Sequence, residues 1–174
     1  MRLGYALVLT LSFLSAAPPQ DKGTAESIAL SLRSRGYKVF LDRDDLPPGD
    51  TYDEKIGRAV KISDIFIFLI SPDSVAIGRY TITELTFARR KWNDPNGRVL
   101  PIMARKTPLE QVPPYLKAVT ILEPLGNSAA ETSAAVDDMW RRSYASALWK
   151  AAGIVAGIVA WFVLYMLHGS LSMH

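Results

Sequence analysis

The segment DIFIFLISPDS (64–74) decides the fold, because it contains the uninterrupted apolar run IFIFLI (65–70). A strand exposed on one face alternates apolar and polar residues, whereas a strand covered on both faces is apolar throughout. The residues that follow, Ser71-Pro72-Asp73-Ser74, have the composition of a turn. The segment therefore predicts a strand inside a sheet that has helices on both faces.

Helices and strands alternate on either side of this strand. The helical spacing of apolar residues predicts a helix over 21–35, with an inward face of Ala25, Ile28, Ala29 and Leu32. A second helix is predicted over 51–62, with an inward face of Tyr52, Ile56, Ala59 and Val60, and a third helix is expected over 81–92. Short apolar runs predict strands over 37–41, 99–104 and 119–122. Ser128-x-x-Glu131 predicts a capping box that opens a final helix. The alternation indicates an α/β fold, namely a flavodoxin-like five-stranded parallel sheet with helices on both faces.

The N-terminal residues allow two interpretations. Met1-Arg2 followed by LGYALVLTLSFLSAA has the length and charge of a secretory signal, with small residues where cleavage would fall. The same residues suit a buried parallel strand over 5–14. A flavodoxin-like sheet needs its first strand in the interior, and a cleaved signal would remove that strand. We therefore predict that residues 5–14 form the first strand and are retained.

Composition excludes several kinds of chemistry. The 174 residues contain no Cys and only two His, at positions 168 and 174, so Cys nucleophiles, Ser-His-Asp catalysis and Cys- or His-based metal sites are not expected. The net charge of +3 is too small and scattered for a nucleic-acid surface. No phosphate-binding glycine motif is present. Any catalysis must use carboxylates, hydroxyls, Lys, Arg, aromatic side chains or the backbone.

An apolar segment near the C-terminus predicts a membrane anchor. Residues 151–167 carry no charge, and residues 147–149 extend the segment by a turn. Arg141, Arg142 and Lys150 lie on the N-terminal side of residues 151–167, and the seven residues after Leu167 contain no Lys or Arg. This asymmetry predicts a single-pass protein with a cytoplasmic N-terminal domain. The predicted organisation is a core over 1–126, a last helix and juxtamembrane helix over 127–146, a transmembrane helix over 147–168, and a tail over 169–174.

Five segments in order resemble the TIR (Toll/interleukin-1 receptor) domain family, in its prokaryotic type. YKVFLDRDDLPPGD (37–50) resembles its second box with the BB loop, and DIFIFLISPDS (64–74) resembles its third strand and Ser-Pro turn. LSFLSA (11–16), RYTITEL (79–85) and RVLPIM (98–103) resemble the first box, the segment bearing an aromatic and a Glu, and the fourth strand. The resemblance covers about residues 8 to 140.

The resemblance implies a candidate enzymatic site, since many prokaryotic TIR domains cleave NAD+ at the nicotinamide–ribose bond. The catalytic Glu of those enzymes matches Glu84, and NAD+ would be the substrate rather than a cofactor. The candidate substrate-binding residues are Tyr80, Ser15, Asp42, Tyr52 and Ser71, and no metal is expected. The alternatives are an exposed helical Glu84 beside Arg89 or Arg90, simple packing for Tyr80, and a loop-capping or solvated acid for Asp42.

The resemblance also implies a non-enzymatic function, as an interaction or adaptor module in signal transduction. TIR domains associate with TIR domains, and the BB loop is a common contact. Leu46, Pro47, Pro48 and Gly49 form an apolar tip of this loop and suit a docking surface. The two functions are compatible, because enzymatic sites in the family are often completed by a neighbour's BB loop. We expect self-association, and membrane attachment through residues 147–168.

Overall fold

The computed structural model describes residues 10–14, 19–41, 52–76 and 80–143, together with residues 158 and 161. Its strands are β1 (Thr10–Leu14), β2 (Lys38–Leu41), β3 (Ile65–Ile70) and β4 (Val99–Met103). Its helices are α1 (Pro19–Ser34), α2 (Tyr52–Ile62), α3 (Tyr80–Lys91) and α4 (Pro114–Lys117). Residues 128–143 are also helical.

The four described strands form one parallel sheet in the order β2-β1-β3-β4. Leu11 of β1 pairs with Val39 of β2 on one side and with Ile65 of β3 on the other. The described part of the predicted first strand, residues 10–14, therefore lies inside the sheet, whereas residues 5–9 lie outside the described residues. This order is flavodoxin-like, and it brings the carboxyl ends of all four strands to one edge.

The predicted inward faces of the helices are confirmed by burial. Ala25, Ile28, Ala29 and Leu32 of α1 are all 0% exposed, as their helical spacing requires. Gly36 ends this helix with φ of +88°, a conformation that favours glycine. Ile56, Ala59 and Val60 of α2 are likewise buried.

Strand β3 is buried along its whole length, as the sequence predicts. Phe66, Phe68 and Ile70 belong to a core cluster that also contains Val75 after the strand and Leu85 and Ala88 on α3. Burying an aromatic or aliphatic side chain of this size contributes about 1.5–3 kcal/mol. The core cluster therefore packs α3, together with Val75, against the centre of the sheet.

The predicted fifth strand over 119–122 is not formed in the described residues, where a single parallel bridge joins Ile102 to Leu122. The Leu122 amide donates to the Pro101 carbonyl at 2.9 Å, and the Met103 amide donates to the Leu122 carbonyl at 2.8 Å. In a parallel ladder the next bonds would need an N–H from Pro101 and an N–H from Pro124, and proline has none. The two prolines limit the ladder to this bridge.

The predicted capping box at Ser128 and Glu131 is wrong. The Ala130 amide donates to Oδ1 of Asn127 at 3.0 Å, so Asn127 caps the helix. The Glu131 carboxylate instead accepts the amides of Leu125 and Gly126 at 3.1 and 2.9 Å. With Asn127 as the N-cap, a capping box would need a glutamate at position 130, one residue before Glu131. Glu131 instead stabilises the loop that precedes the helix.

The chain divides into two units, Met1–Val136 and Asp137–His174. In the second unit residues 137–143 are helical, and Arg142 pairs with Asp138 one turn away. None of the helices in the described ranges is long and apolar enough to cross a membrane. The predicted span 147–168 lies outside those ranges apart from residues 158 and 161.

Candidate active site

Glu84 is a buried carboxyl group on α3. It is 1% exposed, and its neighbours Leu85 and Ala88 lie in the core cluster. The interpretation of Glu84 as an exposed glutamate beside Arg89 or Arg90 is therefore wrong, since both arginines are exposed and Glu84 is not. Removing a carboxylate from water costs on the order of several kcal/mol. The same burial lowers the local dielectric constant, so electrostatic interactions of the Glu84 side chain are stronger than they would be in water.

Ser71 and Ser74 lock the turn that follows β3. The Ser71 amide donates to Oγ of Ser74 at 2.8 Å, and the Ser74 amide donates to Oγ of Ser71 at 3.2 Å. The Ser74 hydroxyl in turn donates to the Ser71 carbonyl at 3.0 Å. Both residues are buried. The Ser71 hydroxyl thus stabilises the turn, and its binding of substrate stays a prediction.

Three charged residues meet at the same edge of the sheet, and we call them the Arg105 clasp: Arg105 after β4, Asp21 in the first turn of α1, and Asp73 after β3. Arg105 donates from Nε and Nη2 to the two carboxylate oxygens of Asp21, at 2.7 and 3.1 Å. Nη2 also donates to Oδ2 of Asp73 at 2.5 Å. The clasp therefore joins the segments that follow three strands.

The members of the Arg105 clasp differ in exposure. The side chain of Asp21 is 3% exposed, whereas those of Arg105 and Asp73 are 35% and 39% exposed. Hydrogen bonding to Asp21, and then to Asp73, raises the pKa of Arg105 above its usual value, so the guanidinium is charged at neutral pH. A buried carboxylate with a bidentate arginine is a rigid support for this edge.

The Arg105 clasp is not predicted by any sequence motif. Asp21 fits the start of a helix, Asp73 fits a turn and Arg105 follows a strand, so each residue has an ordinary local explanation. The available signal was their shared position, because all three come soon after the carboxyl ends of parallel strands. No local pattern identifies a partner for any of them, since the pairing depends on side-chain directions across the sheet edge.

The remaining predicted site residues are only partly described. Tyr80 begins α3 and Tyr52 begins α2, but their side chains are not among the described ones. The other predicted substrate and BB-loop residues lie outside the described ranges entirely, namely Ser15, Asp42, Leu46, Pro47, Pro48 and Gly49. The structure thus places Glu84 and Ser71, and leaves the assembly of the full predicted set untested.

Two further features of the described residues bear on ligands. No group of three or more His, Cys, Asp or Glu within those residues could hold a metal ion. A groove of about 350 Å³ runs between α3 and the segment around α4, with Leu85, Arg89 and Tyr115 in its wall. The Tyr115 hydroxyl donates to the Trp92 carbonyl at 2.6 Å, and burial raises its pKa. Tyr115 therefore holds the groove wall in place.

Comparison with known proteins gives one family. The family model described as TIR domain matches residues 13–139. A metazoan TIR-STING receptor from C. gigas, solved in complex with 2',3'-cGAMP, has a TM-score of 0.59 and 22% sequence identity, covering 79% of this chain and 40% of that chain. The TIR domain of a Toll-related receptor from Hydra magnipapillata has a TM-score of 0.56 and 21% identity, covering 80% of this chain and 98% of that domain.

These likenesses support the fold. At such identities a structural match shows a shared architecture and not a shared activity. The chain corresponds to 40% of the length of the C. gigas receptor, whereas it accounts for nearly all of the Hydra domain. No curated protein matches the chain.

Proposed function

The chain belongs to the TIR domain family, and we propose that it is a membrane-anchored, self-associating signalling member that cleaves NAD+ at the nicotinamide–ribose bond. Glu84 is the essential carboxylate of this proposal. The family resemblance of RYTITEL (79–85) to the segment that bears the catalytic glutamate of prokaryotic TIR enzymes supports this assignment.

The burial of Glu84 is the observation that carries the proposal. Glutamate is seldom fully buried, because the charged form loses its hydration. Here a 1% exposed carboxyl lies on the helix that follows the central strand β3, next to the edge at which open α/β sheets bind ligands. A desolvated carboxylate in such a place can stabilise a positive charge that develops in the transition state.

The chemistry needs little more than this carboxylate. The bond between C1′ of the ribose and the pyridinium nitrogen breaks, and its electron pair neutralises the departing nicotinamide. The ribose carbon acquires oxocarbenium character, as in glycoside hydrolysis. Glu84 orients the ribose and stabilises that charge, and water then adds to C1′ and releases a proton. Nicotinamide leaves as a neutral molecule, so no general acid is required. This fits a TIR domain without His, because both His of the chain, at positions 168 and 174, lie beyond residues 13–139.

Assembly provides access and control in this proposal. Glu84 is 1% exposed within one chain, so contact with another protomer must rearrange the residues that cover it before substrate can enter. The BB-loop tip at 46–49 supplies the contact between protomers. Anchoring by residues 147–168, with the TIR domain on the cytoplasmic side of a prokaryotic inner membrane, confines protomers to two dimensions and raises their effective concentration.

Nicotinamide release from NAD+ by the full chain in lipid vesicles tests the proposal. Turnover per molecule should rise as the protein-to-lipid ratio increases. Glu110→Gln is the matched control, because Glu110 is an exposed glutamate in a loop after β4 and its loss should leave the rate unchanged. Nicotinamide is released whether the ribose is hydrolysed or cyclised, so the assay reads the bond cleavage itself. Wild-type chain that releases none at high density would leave the interaction module as the function.

A further inference from the structure

We propose that Asp73 and Arg105 are positioning residues, which hold the turn 71–74 after β3 so that Glu84 stands in its working position; the kinetic part of this inference rests on the proposed NAD+ cleavage. Arg105 lies outside the five segments of the family resemblance described above, and Asp73 lies in one of them (64–74) but is given no role by it. The Arg105 clasp has two arms, Arg105–Asp21 and Arg105–Asp73, which differ in burial.

The first arm is a fixed anchor. Arg105 makes two hydrogen bonds to the nearly buried carboxylate of Asp21. Its backbone is held as well, because its amide donates to the Ile70 carbonyl at 3.2 Å and its carbonyl accepts the Thr107 hydroxyl at 2.8 Å. These hydrogen bonds hold the Arg105 guanidinium in one orientation at the end of β3.

The second arm reaches the turn that follows β3. Asp73 belongs to the turn locked by Ser71 and Ser74, and Val75, which follows this turn, is buried in the core cluster. That cluster also contains Leu85, which adjoins Glu84 on α3. A shift of the turn at Asp73 would thus be transmitted by Val75 to the helix that carries the carboxylate.

The two arms can be separated by mutation. Loss of Arg105 would leave the buried Asp21 carboxylate without its bidentate partner, so such a variant threatens the whole fold. Asp73 is 39% exposed, and Asp73→Asn keeps the turn chemistry and the Arg105–Asp21 pair while removing the charge of the second arm. A partly exposed pair contributes little to global stability.

The experiment compares Asp73→Asn, Asp73→Glu and Arg98→Gln with wild type in the full chain. Arg98 is the matched control, because its guanidinium donates to the Asp64 carbonyl at the opposite end of β4. We expect Asp73→Asn to lower kcat about tenfold with KM changed less than about twofold, since small misplacement of a catalytic group is costly. Asp73→Glu should restore most of the rate, and Arg98→Gln should resemble wild type.

Hydrogen exchange supplies a readout that does not depend on turnover. In Asp73→Asn the amides of the first two turns of α3 should exchange at least about threefold faster, while those of α1 stay as in wild type. Unchanged exchange in α3, or an equal loss of protection in α1 and α3, would overturn the positioning role. Wild-type chain without turnover would refute the NAD+ proposal alone, and the exchange measurement would still decide the role of Asp73 and Arg105.

Discussion

Thr132 provides a sharp test of the packing, because replacing it should make the protein more stable. Its side chain is 0% exposed, and its hydroxyl has no hydrogen-bond partner among the described residues. Ser133, the next residue, is equally buried, but its hydroxyl lies 2.8 Å from that of Ser31 on α1. The buried Ser133 hydroxyl thus has a hydrogen bond in place of water, whereas the buried Thr132 hydroxyl has none among the described residues.

The expected magnitude follows from this difference. Thr132→Val keeps the shape of the side chain and removes a hydroxyl whose unpaired burial costs about 1–3 kcal/mol. Valine and threonine have similar helix propensity, so little is lost in the helix itself. We expect the free energy of unfolding to rise by about 1 kcal/mol, or the Tm by about 4 °C. Ser133→Ala should act in the opposite direction by a similar amount, since it leaves the Ser31 hydroxyl without that partner.

Denaturant unfolding followed by circular dichroism measures both variants, with the midpoint and slope fitted separately. An unchanged slope is needed for the comparison to report stability. A Thr132→Val variant less stable than wild type would show that the hydroxyl is satisfied after all, and the reasoning about this helix contact would fail. Equal destabilisation by both variants would contradict that reasoning in the same way.

Two further predictions concern a helix end and the BB loop. Lys91 donates from Nζ to the Val60 carbonyl at 3.0 Å and also to that of Ser63, and burial lowers its pKa from the usual 10.5. Because the pKa is lower in the folded chain, the folded state releases this proton at a lower pH than the unfolded state does. The free energy of unfolding of wild type, relative to Lys91→Met, should therefore increase as pH rises through the lowered pKa toward 10.5. Denaturant titration at several pH values measures this difference. Pro48→Glu should reduce self-association in sedimentation experiments while the circular dichroism spectrum stays unchanged; undiminished association would remove the BB loop from the assembly, and loss of the spectrum would make the loop structural.

The parts of the fold that were predictable from sequence depend on local periodicity. The apolar run at 65–70 identifies a doubly covered strand, and the spacing of Ala25, Ile28, Ala29 and Leu32 identifies a buried helix face. Such patterns need no knowledge of partners, because the geometry of a single strand or helix produces them. The sequence also predicted that Glu84 lies on the helix after β3, and the family resemblance supplied the role that we propose for it.

The parts that were missed depend on partners that are distant in sequence or on single backbone groups. The fifth strand stops at one bridge because Pro101 and Pro124 lack the N–H groups that further pairing would use. Asn127 rather than Ser128 caps the helix 128–143, a shift of one residue that composition does not resolve. Arg105 pairs with Asp21 and Asp73 across three segments, and only the assembled sheet edge brings them together.

In the function proposed above, the charge of Glu84 drives cleavage of the nicotinamide–ribose bond. The most direct measurement is the rate of nicotinamide release at saturating NAD+ by wild type and by Glu84→Gln, at equal density in the same vesicles. Glutamine retains the size and hydrogen-bonding capacity of the side chain but carries no charge to stabilise an oxocarbenium ion. We predict a loss of about 10²-fold or more, in line with the removal of one preorganised electrostatic group. Equal rates for the two proteins would contradict the claim.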